Sequence, residues 1–139
     1  MRALTFQGEG EVKVVDVPKP AIKGSGEALI KVTLGAVCGT DLHILHGQTP
    51  MNQGAVLGHE FVGVVEEVGQ EVKRFRPGDR VVSSFFTSCG VCTLCRKGWF
   101  NQCVARAVFG HGEKFGGLGG GQAEYVVVPF ADQSMEPIP

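Results

Sequence analysis

No stretch of this sequence stays apolar for the roughly 20 residues that a membrane-spanning helix needs. Basic clusters are missing too. Thirteen Lys and Arg residues are spread among fourteen Asp and Glu, for a net charge of -1, so the electrostatic footprint of a nucleic-acid binder is lacking. The opening MRALTFQGEG reaches polar and glycine residues before the apolar core of a signal peptide can form. These absences predict a cytoplasmic protein with no membrane and no nucleic-acid partner. In that reducing compartment, thiols hold metals more often than they form disulfides. Apolar residues at helical spacing are scarce, whereas glycine contributes 21 of 139 residues. Both facts predict a β-rich, turn-rich fold in a single domain. Also missing is a strand–GxGxxG–helix unit, the phosphate cradle of dinucleotide-binding domains. GGLGGG at residues 116–121 follows no strand and opens no helix, and reads as a flexible or tightly turned loop.

What is present reads as about seven short strands. RALTFQG ends at Gly8, and EVKVVDVPKP is stopped by Pro18 and Pro20. EALIKVTLG puts Ala28, Ile30, Val32 and Leu34 on one face. GTDLHILHG predicts one or two helical turns, with Thr40 or Asp41 as N-cap and Gly47 past the end. HEFVGVVEEVG is a β-branched run whose Gly58, Gly63 and Gly69 suit bulges or sharp bends. RPGDRVVSS is a turn leading into a strand, and QAEYVVVP is the last clear strand. ADQSMEPIP reads as an exit from the domain. The pattern fits a small barrel or sandwich.

Four of the five cysteines, Cys89, Cys92, Cys95 and Cys103, are spaced C-x2-C-x2-C-x7-C. Zinc takes four thiolates in a tetrahedron, and an x2 spacing lets two sulfurs of one tight turn face the same ion. Four thiolates leave no position for water, so the predicted site is structural. Disulfides between such close neighbours are cramped. The bacterial ferredoxin run has x3 before its fourth cysteine and then proline, whereas here the gap is x7 and Val104 follows.

Cys38 and His59 are individually weak signals. A lone cysteine is usually a small core residue, and a lone histidine is usually a group with a satisfied hydrogen bond. With Glu60 beside His59 they become a thiolate, an imidazole and a carboxylate, the ingredients of an open zinc site. Thr40, two residues after Cys38, could take a proton from a substrate alcohol, and His43 could pass it toward solvent. Thr40 as a helix cap and His43 on its wet face are equally compatible readings. Asp41 could orient a ligand histidine or cap the helix. His46 and His111 lack such context and are expected at the surface.

CGTDLH, GHEFVGVVEEVG, RPGDRV and the cysteine series occur in that order. Together they resemble the N-terminal catalytic domain of zinc-dependent medium-chain alcohol dehydrogenases. GQAEYVVVPFAD is similar to bacterial members near the formaldehyde and threonine dehydrogenases. The resemblance implies a GroES-like fold, a mainly β, partly open barrel with short helices and a protruding structural-zinc lobe. It implies Cys38, His59 and Glu60 at a catalytic zinc, Cys89, Cys92, Cys95 and Cys103 at a structural zinc, and Asp41 behind the ligands. It further implies Thr40 and His43 as a proton relay, and Phe85 in the substrate pocket. Zinc would polarise an alcohol or aldehyde oxygen, and hydride would pass to NAD or NADP. Family enzymes hold that cofactor in a Rossmann domain absent from residues 1–139, and a third catalytic zinc ligand falls after them. The expectation is therefore a catalytic domain that binds zinc without turning over alone, and that self-associates as a homo-oligomer if its exposed faces meet. The competing expectation is a zinc-stabilised binding module without chemistry.

Overall fold

The computed structural model describes all 139 residues. A hairpin of β1 (Arg2–Gly8) and β2 (Glu11–Asp16) stands beside a five-stranded antiparallel sheet. The sheet contains β3 (Ala28–Gly35), β4 (Phe61–Val68), β5 (Arg80–Ser83), β6 (Tyr125–Val128) and β7 (Met135–Pro137), in the order β6-β3-β4-β5-β7. Isolated bridges from Ala3 to Ala123 and from Thr5 to Val56 fasten the hairpin to the remaining chain. The result is the mainly β, partly open barrel that the resemblance implies.

Ile30, Val65, Val81, Val126 and Val128 all point into one core. Branched side chains suit this pleated, half-buried surface. Phe109 fills its centre with no exposed surface and meets Phe61 edge to face at 5.2 Å. A smaller cluster of Phe6, Ile44 and Leu57 seats the helix α1 (Gly39–Leu45) against the hairpin.

Three local expectations need correction. Leu34 is 69% exposed because the β3–β4 register shifts at Leu29/Ile30 and again at Val32/Leu34, and each shift moves side chains to the other face. The N-cap of α1 is Cys38, since Thr40 and Asp41 already lie inside the helix. Residues 131–139 are no exit: α3 (Ala131–Ser134) buries Ala131, and β7 pairs with β5 while Met135 enters the core. Of the two readings of 116–121, the tightly turned one holds at its end, where Gly120 and Gly121 are buried. The amides of Gly120, Gly121 and Gln122 donate to the carbonyls of Val56, Gly58 and Leu57.

Candidate metal centres

Beyond β5 the chain leaves the sheet and returns through a narrow neck. There the Thr87 amide donates to the Ala107 carbonyl at 2.8 Å, and Phe86 bridges to Val108. The lobe between them holds the short helix α2 (Thr93–Arg96) and a 3-10 turn at Phe100–Gln102. It has almost no apolar core of its own. Val91, Trp99, Phe100 and Val104 are exposed.

The four cysteine sulfurs converge instead, all within 4.8 Å of one another. No cysteine is in a disulfide. Amides aim at the sulfurs: Cys89 N–H at Cys103 Sγ (3.2 Å), Ala105 N–H at the same sulfur (3.4 Å), and Cys95 N–H at Cys92 Sγ (3.5 Å). Donors of this kind favour thiolate. The amides of Cys95 and Val104 bring the Cys92 thiol down to about 6. Burial, and then the neighbouring Cys92 sulfur, push Cys95 up to about 12. Four sulfurs this close suit a divalent cation, whose charge would offset the repulsion between thiolates.

The second group is built at the start of α1. Cys38 caps the helix from extended backbone (φ -101°), and its own N–H donates to Asp41 Oδ2 at 2.9 Å. Thr40 Oγ1 lies 3.6 Å from Cys38 Sγ. The Thr40 backbone and then its hydroxyl hold the Cys38 thiol below its ordinary value, and His59 adds to this. Cys38 Sγ, a His59 ring nitrogen and a Glu60 carboxylate oxygen lie within 4.8 Å of one another. His59 and Asp41 are both buried, and His59 Nδ1 sits 3.6 Å from Asp41 Oδ1. Neither atom has a hydrogen-bond partner at that separation. A ligand drawing on Nε2 would find the opposite ring edge already facing a carboxylate, the arrangement that fixes metal-binding histidines.

Asp41 raises the His59 pKa above its ordinary 6.5, against the lowering effect of burial. Burial pushes the Asp41 carboxyl up, but His59, the Cys38 amide and Gln122 together outweigh it and bring the net value down. In metal-free protein the His59 imidazole should therefore titrate above 6.5, and Asp41→Asn should lower that midpoint. Imidazole NMR across pH reads both, and an unchanged midpoint in the variant would remove Asp41 from the pair.

Cys38, Thr40, His59, Glu60 and Phe85 line one cavity of about 510 Å³. His59, Glu60 and Phe85 also face a second cavity of about 440 Å³ on their other side. Phe85 lies edge-on to His59 at 6.4 Å. His43 is exposed, bonds through Nδ1 to Gln48 Oε1, and makes no hydrogen bond to Thr40.

His111 corrects its expectation. It is 8% exposed, lines the cavity, and stacks edge-on to His59 at 4.9 Å. Its Nδ1 lies 2.8 Å from the Phe109 carbonyl, which can only accept, so Nδ1 carries the proton. Gln122 was unforeseen as well. Its amide donates to the Ala36 carbonyl (3.0 Å) and to Asp41 Oδ2 (3.1 Å). No local motif marks either residue; only the fold brings His111 to His59 and Gln122 to Asp41.

A partly open β-barrel thus presents one four-thiol group and one mixed thiol–imidazole–carboxylate group, each with the donor set to hold a metal ion. Residues 24–139 match the family model "Alcohol dehydrogenase GroES-like domain", and the chain belongs to that family. It is 45% identical to an uncharacterized zinc-type alcohol dehydrogenase-like protein of Bacillus subtilis, with all of this chain aligned to 39% of that protein. It is 35% identical to the glutathione-independent formaldehyde dehydrogenase of Pseudomonas aeruginosa, across 99% of this chain and 37% of that enzyme. Among solved structures, an alcohol dehydrogenase from Thermus sp. ATN1 superposes with a TM-score of 0.98 at 43% identity, over the whole chain and 40% of that enzyme. The chain thus spans about two fifths of the length of these relatives.

Proposed function

We propose that these residues form the substrate and zinc domain of an alcohol or aldehyde oxidoreductase. The observation that carries this reading is the convergence of Cys38, His59 and Glu60 ligand atoms within 4.8 Å, on the wall of the cavity that Thr40 also lines. The similarity to zinc-type alcohol dehydrogenases supports it.

In this reading, Cys38, His59 and Glu60 hold the catalytic zinc and the four lobe cysteines hold the structural one. A bound zinc supplies Lewis acidity toward a substrate oxygen, and NAD or NADP, bound by a further domain, supplies the hydride acceptor. Asp41 holds the imidazole tautomer from behind. Thr40 Oγ1 receives the proton of the substrate hydroxyl, and His43 delivers it to solvent through an intermediary, because no hydrogen bond joins the two. Phe85 and Val108 line the cavity and would face the carbon skeleton of the substrate.

Elemental analysis of metal-replete protein tests the ligand sets. Two zinc ions per chain are expected, falling to one in Cys38→Ala. A wild-type chain with a single zinc that Cys38→Ala leaves unchanged would sink the catalytic assignment. Alcohol-dependent reduction of NAD or NADP is expected only when the dinucleotide-binding domain accompanies residues 1–139. Turnover by these residues alone would overturn that division of labour.

A further inference from the structure

The cavity beside Cys38 carries one positive side chain, Arg106, which no sequence motif singled out. Its guanidinium enters no ion pair in the protein. Glu60 is the one carboxylate on the same wall, and its oxygen belongs to the Cys38–His59 donor set. A thiolate and a carboxylate there balance a divalent ion, so the Arg106 charge is left over.

The backbone of Arg106 is well anchored although its side chain is exposed. Its amide donates to the Cys103 carbonyl at 3.1 Å, and the amides on either side bond to Cys103 Sγ (3.4 Å) and Thr87 Oγ1 (3.3 Å). The four-cysteine lobe therefore fixes the backbone of Arg106 at the cavity wall. The rest of that wall includes Val108 and Phe115, which offer nothing to an anion.

We propose that the cavity selects alcohols or aldehydes that carry an oxyanion, a carboxylate or a phosphate, and that Arg106 holds that group. This rests on the alcohol-oxidoreductase reading above. A guanidinium fork matches both oxyanions and is worth more than a neutral donor. Arg106 is a specificity-determining residue here and takes no part in bond breaking.

The test uses zinc-loaded protein and two matched pairs, lactate against lactamide and glycerol 3-phosphate against glycerol. Affinities are read from NMR titration, and cobalt(II) at the Cys38 site reports whether a ligand reaches the metal. One charged member should bind more tightly than its neutral partner. Arg106→Met should cut the charged-to-neutral ratio about tenfold, the worth of one charge-assisted bond. Arg106→Lys should restore part of it. The responding pair tells carboxylate from phosphate. Equal affinities, or a preference that survives in Arg106→Met and so comes from the metal, overturn the proposal. Neutral alcohols that perturb the cobalt spectrum while charged ones add nothing defeat the anion proposal alone. A spectrum that no member perturbs defeats the underlying reading as well.

Discussion

Replacing Cys95 by serine is expected to strip the metal from the lobe and to unfold residues 88–106 while the sheet stays folded. Cys95 is 3% exposed and sits on α2, where Cys92 caps the helix through its sulfur. The lobe has no apolar interior to fall back on, since Trp99 is 55% exposed and Val91 68%. A small loop without a core depends on its cross-link. Structural zinc supplies apparent binding free energies of about 10–16 kcal/mol in zinc-finger peptides at neutral pH. Losing even a fraction of that exceeds what a segment this size can replace. The neck at Thr87 and Ala107 should confine the damage. Hydrogen exchange with a parallel zinc count reads the outcome. Lobe amides that remain protected with one zinc gone would show that packing, not metal, orders the lobe. Chelation of wild-type protein should reproduce the variant's exchange pattern.

Gly120→Ala should cost about 3 kcal/mol or more of stability, at the heavy end for a single substitution. An added Cβ would lie 2.0 Å from the Leu57 carbonyl oxygen and 2.7 Å from that of Gly58. Those oxygens belong to backbone, which cannot swing aside as a side-chain tip would. Gly58 and Gly110 crowd the same crossing, where a Cβ on Gly110 would approach the Gly58 nitrogen to 2.6 Å. Three main-chain segments thus meet next to His59. The neighbouring Gly119→Ala is the control, because its Cβ would meet nothing within 4 Å. Denaturant melts of the pair separate the two cases. Equal midpoints would mean that the crossing relaxes freely.

The legible part of this molecule was the part written in local spacing. The x2 spacings announced that Cys89, Cys92 and Cys95 share a site, and alternation or β-branching announced β3, β4 and β6. Cys38 and His59 were readable as a pair because their chemistry is complementary, although they stand 21 positions apart. Arg106, His111 and Gln122 were not readable. Arg106 and His111 reach the cavity, and Gln122 reaches Asp41, through tertiary packing, and none carries a periodic or spacing signal. Leu34 was misread because a bulge leaves no trace in alternation until the register is known. Residues 131–139 were misread because Pro and Glu obscure a three-residue strand whose burial depends on its partner, β5.

The three crossing backbones around His59 also bear on when each site can take up metal during biosynthesis. The lobe cysteines close a loop of fifteen residues, which costs little chain entropy. The Cys38 site needs Leu57, Gly110 and Gly120 in place, so it exists only once most of the chain has condensed. We hypothesise that the two ions are acquired in sequence, the lobe first. Stopped-flow refolding with cobalt would show the thiolate charge-transfer bands of the lobe ahead of those of Cys38, and simultaneous appearance would refute the ordering. A cell short of zinc would then accumulate chains with an intact lobe and an empty Cys38 site.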